Sequence, residues 1–69
     1  MLSEKLTIKA LRAQNNMKQE EVARAVGVST ATYNRYEQHP EVMTVSILVK
    51  LAKLFHVDLC DIFLPHDTN

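Results

Sequence analysis

The chain has few of the residues that would brace it covalently or interrupt it. Its 69 residues include one cysteine, one glycine, two prolines and no tryptophan. A lone cysteine, Cys60, excludes an intrachain disulfide and fits an intracellular protein better than a secreted one. No run approaches about 18 consecutive apolar residues, the length a membrane helix requires. The N-terminus lacks the basic-then-apolar order of a signal peptide. A soluble, cytoplasmic chain with no membrane partner is therefore expected. With 46% hydrophobic residues the chain can build a core, although a domain this small buries only about 60% of its unfolded surface. One domain over residues 1–69 is expected, folded over 3–64 and frayed at 65–69.

An excess of either charge is also missing. Eight basic side chains balance eight acidic ones, which counts against a polyanionic partner, since domains that bind one are usually basic. The distribution softens that objection. Residues 1–36 hold six basic and three acidic side chains, a net +3, while residues 37–69 hold two and five, a net −3. Such a gradient orients the basic half toward a polyanion, with an affinity that falls as salt rises.

What is present is helical periodicity. Residues 3–15 place Leu6 or Ile8 and then Leu11 on one stripe, with Ser3 as the cap and Asn15–Asn16 as the stop. A second helix is predicted over residues 19–26, with Val22, Ala23 and Val26 inward. Glu20 and Glu21 sit at its positive end, and Lys18 is a poor residue for its N-cap. Gly27, the single glycine, supplies the positive φ that ends this helix. Ser29 caps a third, which runs on to Glu37. Tyr33 and Tyr36 share one face of it, whereas Thr30, Ala31, Asn34 and Arg35 fall on the other.

Residues 38–41 compose a loop. Thr44 caps a fourth helix over residues 45–55, with Val45, Leu48, Ala52 and Phe55 on one stripe that Val49 and Leu51 broaden. Asp58 is predicted to cap a last short helix over residues 59–64, closed by Pro65. The expected class is all-α with five helices, and the second and third meet at a helix-turn-helix corner.

Counting from Gln19 gives a pattern with independent demands. Ala23 must be small where two helices cross, Gly27 must turn the chain, and Tyr33 and Tyr36 must be bulky enough to pin the third helix to the core. On these residues the sequence resembles the Cro/phage-repressor (Xre-type) helix-turn-helix family, whose fold is the compact lambda-repressor-like domain. The resemblance runs over roughly residues 6–64, through IKALR, QEEVARAVGVSTATYNRYE, ILVKLAKLF and VDLCDIF.

The resemblance implies a DNA-binding transcriptional regulator, most often a repressor, acting as a homodimer on a palindromic operator in double-stranded DNA. The third helix becomes the recognition helix, with Thr30, Ala31, Asn34 and Arg35 as its base contacts. Arg35 suits a bidentate contact to guanine and Ala31 a thymine methyl. Gln19, Lys18, Ser29 and Thr32 become phosphate contacts, which position without specifying. Arg12 and Glu37 match a structural pair tying the first helix to the end of the third. Leu59, Ile62, Phe63 and Leu64 are the expected dimer surface.

Three departures from the family pattern are legible. Gln38-His39-Pro40 stands where a glycine commonly follows the glutamate. The next loop carries Glu41 and neither lysine nor arginine. Tyrosines replace the commoner aliphatics at 33 and 36. The first two weaken phosphate anchoring and keep a second reading open: a protein-binding module, such as an antitoxin or accessory subunit, with a protein partner and weak DNA affinity.

Other chemistry finds little support. His56 and Cys60 lie four residues apart, but no further ligand cluster accompanies them, so no metal is expected. Cys60 reads as a small semi-buried residue rather than a redox sensor. No phosphate-cradling glycine loop or nucleophile–base pair is present, so neither a cofactor nor enzymatic activity is expected.

Overall fold

The computed structural model describes residues 6–62. Four α-helices follow one another: α1 (Ile8–Gln14), α2 (Gln19–Val26), α3 (Thr30–Gln38) and α4 (Val45–Phe55). Two short 3₁₀ turns, Pro40–Val42 and Leu59–Asp61, follow α3 and α4 respectively. The all-α class is thus observed, with four α-helices among the described residues rather than five. Where the last helix is expected over 59–64, the described residues hold a single 3₁₀ turn, Leu59–Asp61, and Asp58 makes no side-chain capping bond to it. None of the described helices is long and apolar enough to cross a membrane.

Hydroxyl side chains set three of the four helix starts. Thr7, Ser29 and Thr44 each accept the backbone N–H three residues on, at 3.1, 3.1 and 3.2 Å. Such a cap contributes about 1 kcal/mol. The first helix therefore begins at Ile8, five residues later than expected, because Thr7 takes the cap; Ser3 lies outside the described residues. At α2 the carboxylate of Glu21 accepts the Lys18 N–H at 2.7 Å. The Lys18 ammonium has no lone pair to return that bond.

Three of the four helix ends share one solution. Asn16, Gly27 and His56 all adopt the left-handed conformation, with φ of 56, 84 and 59°. In each case the N–H of the following residue reaches back five positions: Met17 to Arg12, Val28 to Ala23 and Val57 to Ala52, at 3.1, 3.0 and 3.0 Å. The left-handed residue itself donates three positions back. This is the Schellman arrangement, and the residue after it is apolar each time. Met17, Val28 and Val57 all pack against the core. Each turn thereby reverses the chain and adds a side chain to the interior.

The core comprises Ile8 and Leu11 of α1, Val22, Ala23 and Val26 of α2, Tyr33 of α3, five residues of α4, and Ile62. The five in α4 are Ile47, Leu48, Leu51, Ala52 and Phe55. Its buried face is thus turned toward Ile47 and away from Val45, which is 68% exposed. At the first position of α4, Val45 precedes the turns that pack on α1 and α2. Ile62 also departs from expectation. It is 2% exposed and bridges in parallel to Leu6, whose N–H donates to Asp61 O at 3.0 Å. A side chain this buried belongs to the core rather than to a dimer surface.

The left-handed His56 generates a stability prediction. A side chain at such a φ costs about 1–2 kcal/mol, partly offset by the extra unfolded-state entropy of glycine. His56→Gly should therefore raise the thermal midpoint by a few degrees. Calorimetry of the two proteins decides; an unchanged or lowered midpoint contradicts the strain account.

Candidate nucleic-acid interface

The corner between α2 and α3 occupies the three residues Gly27–Ser29, and these two helices pack more closely on each other than any other pair. A Cβ built on Gly27 would meet no neighbour. Its φ of 84° is what calls for glycine there, not a lack of space. Ser29 then serves twice, accepting the Thr32 N–H and donating to Thr32 Oγ1 at 2.9 Å. Two of the expected phosphate contacts are thus hydrogen-bonded to each other at the start of α3.

One face of α3 is fastened to the body. Tyr33 is fully buried and Tyr36 packs against the core. Beside them Glu37, with its side chain only 5% exposed, meets Arg12 of α1. Arg12 Nε donates to Glu37 Oε2 at 2.6 Å and Nη2 to Oε1 at 3.3 Å. Arg12 Nη1 donates to the Met17 carbonyl at 3.1 Å, so the same guanidinium also holds the turn that closes α1. Gln19 Nε2 adds a bond to Glu37 Oε1 at 2.9 Å. One carboxylate therefore joins the first residue of α2, the body of α1 and the last turn of α3.

The electrostatics follow from that arrangement. Burial pushes the Glu37 carboxyl upward, but hydrogen bonds from Arg12 and Gln19, the nearby Tyr33 hydroxyl and the charge of Arg12 hold it below the ordinary carboxylate value. Arg12 is held above its usual value chiefly by its hydrogen bond to Glu37, against burial. The Tyr33 phenol is pushed up, first by burial and then by Glu37. Its hydroxyl is buried and has no hydrogen-bond partner among the described residues. Tyrosine at 33 therefore keeps its hydroxyl inside the protein, whereas Tyr36 keeps part of its side chain exposed.

The opposite face of α3 is exposed. Thr30, Ala31 and Arg35 are solvent-facing, and Arg35 has no ion pair among the described residues. Asn34 is half-buried and engaged, donating to Gln19 Oε1 at 3.4 Å and accepting from Gln38 Nε2 at 2.9 Å. Gln19 is thus held on two sides within the fold. Lys18 remains exposed, and with Arg12, Gln19, Glu20 and Thr30 it lines an open cleft between α1, α2 and α3. Beyond α3, Glu41 pairs with His39 at 3.5 Å, while Val42 and Val45 stay exposed. Of the expected dimer residues, Leu59 is 43% exposed, Ile62 is core, and Phe63 and Leu64 lie outside the described residues.

Comparison with known proteins agrees with this geometry. A helix-turn-helix family model matches residues 8–62, which span all four helices. The chain belongs to the Xre-type helix-turn-helix DNA-binding family. It is 35% identical over 62 residues to the cryptic phage CTXphi transcriptional repressor RstR of Vibrio cholerae. That alignment takes in 90% of this chain and 56% of the relative, so the chain spans a little over half the relative's length. Among solved structures, none matches significantly.

Sequence reasoning passed over Gln38, which it assigned to the loop. The available signal was its spacing of four residues from Asn34, the separation at which helical amides meet. It also passed over the Met17 carbonyl, a backbone acceptor that no residue type announces.

The half-buried Arg12–Glu37 pair generates a prediction with a definite pH sense. Because the native pKa of Glu37 lies below the unfolded value, its contribution is complete above the unfolded carboxyl range and drains away as pH falls through the native value. Arg12→Met removes the partner, and burial then raises Glu37. The variant should lose about 3 kcal/mol at neutral pH, the low end for breaking a buried pair. The deficit should shrink on acidification as Glu37 takes up a proton. Urea denaturation at several pH values tests this; a deficit independent of pH contradicts it.

Proposed function

We propose that the chain is a sequence-specific transcriptional regulator of double-stranded DNA, a repressor that binds a palindromic operator as a homodimer. The observation that carries this reading is the division of α3. One face is pinned by Tyr33, Tyr36 and Glu37, and the other presents Thr30, Ala31 and Arg35, which has no ion pair among the described residues, to solvent. A helix so held can enter a major groove without being drawn back into the core. Thr30, Ala31, Asn34 and Arg35 are the base contacts, with Arg35 directed to guanine O6 and N7. Lys18, Ser29 and Thr32 are the phosphate contacts. Gln19, with both ends of its amide engaged, steadies α3 more than it grips phosphate.

The relative's description as a phage transcriptional repressor supports the sign of regulation. One short helix covers only a few base pairs, so useful specificity calls for two half-sites about one turn apart. Leu59 is the described residue that suits the dimer contact; Phe63 and Leu64, also assigned to it, lie outside the described residues.

A second reading is favoured by a separate observation. Val42, within the connection from α3 to α4, and Val45, just after it, are exposed apolar side chains, and the one acid of that connection is Glu41. Such a surface suits protein better than phosphate, as in an antitoxin or accessory subunit that kept the fold.

Selection of bound duplexes from a random library separates the two. Wild type should enrich a palindrome, and Arg35→Ala should lose the preference at one position per half-site, at a cost of about 1–3 kcal/mol. Raising the salt should weaken wild type steeply. Absence of enrichment at low salt removes the repressor reading in favour of the protein-binding module.

A further inference from the structure

Gln38 is exposed at the end of α3, and the helix repeat puts it in the middle of the proposed readout face. At roughly 100° of rotation per residue, Thr30, Asn34, Gln38, Ala31 and Arg35 follow one another around a single arc of about 140°. Gln38 is also the outer end of a hydrogen-bonded series that starts inside the protein. Glu37 accepts from Gln19 Nε2 at 2.9 Å, Gln19 Oε1 accepts from Asn34 Nδ2 at 3.4 Å, and Asn34 Oδ1 accepts from Gln38 Nε2 at 2.9 Å.

The direction of that series is not arbitrary. An amide can face a neighbour with its oxygen or its nitrogen, and taken singly each of these three side chains could turn either way. An ionised carboxylate, however, only accepts. Glu37 therefore requires the nitrogen of Gln19, which leaves the Gln19 oxygen facing Asn34. That oxygen requires the Asn34 nitrogen, which leaves the Asn34 oxygen facing Gln38. The Gln38 nitrogen turns inward in its turn, committing one of its two N–H groups to Asn34, and its oxygen is left as the outward acceptor.

We propose that Gln38 is a specificity-determining residue whose carbonyl Oε1, oriented by Glu37 through Gln19 and Asn34, reads a base carrying an amino donor in the major groove. Adenine N6 and cytosine N4 offer that donor. Guanine and thymine present acceptors there, which an outward oxygen rejects. Glu37 and Gln19 are positioning residues in this account. They touch no base, yet they decide which end of each amide faces the DNA.

The inference rests on the DNA-reading function proposed above, and its test separates the two. Random-library selection is run with wild type, Gln38→Met, which keeps the length but loses the amide, and Glu37→Gln, which can donate as well as accept. Circular dichroism on each variant confirms a folded helical domain before selection. Wild type should prefer adenine or cytosine at one position per half-site. Gln38→Met should lose that preference by about 10-fold while the position read by Arg35 is unchanged. Glu37→Gln should let guanine or thymine into the same position, an effect that a purely structural role would not confine to one base pair. Wild-type enrichment with every preference retained in Gln38→Met overturns this proposal alone. If wild type enriches nothing, the DNA reading falls and this proposal falls with it.

Discussion

The Glu37 carboxylate is the constraint on which the rest depends. It is nearly inaccessible to solvent, so its charge is tolerable only because a guanidinium and an amide surround it. Those partners come from different helices: Arg12 from α1 and Gln19 from the start of α2. Meeting the hydrogen-bonding needs of one side chain thus fixes the end of α3 against both. Apolar packing alone, through Tyr33 and Tyr36, would hold α3 to the core but would leave its rotation and axial position looser. Directional bonds at 2.6 and 2.9 Å remove that freedom, which a helix presenting a readout face cannot keep.

The turns supply a second constraint of a different kind. Asn16, Gly27 and His56 end three helices with the same backbone geometry, and each hands the chain to an apolar residue that enters the core. Reversal and burial are therefore one event at each corner. This explains how 57 described residues hold four helices with so little connecting chain. Within the helix-turn-helix corner, the Ser29 cap follows Gly27 by two residues. The end of α2 and the start of α3 are thus set by adjacent, independent hydrogen-bonding arrangements.

Much of this was legible in the residues, and the misses have physical causes. Gly27, Ser29 and Thr44 announce their turn and caps by type, and α2 and α4 lie where periodicity puts them. The α1 start was misplaced because two hydroxyl residues, Ser3 and Thr7, compete for the cap and local sequence does not rank them. Val45 falls off the expected stripe, and Ile47, which that stripe omits, is buried, because a helix as apolar as α4 offers several faces and only the position of α1 and α2 selects among them. Ile62 looked like interface because its burial arises from pairing with Leu6, a contact 56 residues away in sequence. His56 gave no sign of a left-handed backbone, since that conformation is chiefly associated with glycine and asparagine. At the candidate site, Thr30, Ala31 and Arg35 stand free as periodicity expects. The binding of Asn34 to Gln19 and Gln38 depends on tertiary geometry that spacing only hints at.

The central claim is that Arg12 and Glu37 act as a unit, each burying the other's charge. A double-mutant cycle on folding stability addresses it most directly, using wild type, Arg12→Met, Glu37→Met and the double variant in urea at neutral pH. The account predicts that each single change strands a charge, that the double variant is far less destabilised than the sum, and that the coupling is about 2 kcal/mol. Additive losses, with coupling below about 0.5 kcal/mol, would contradict it.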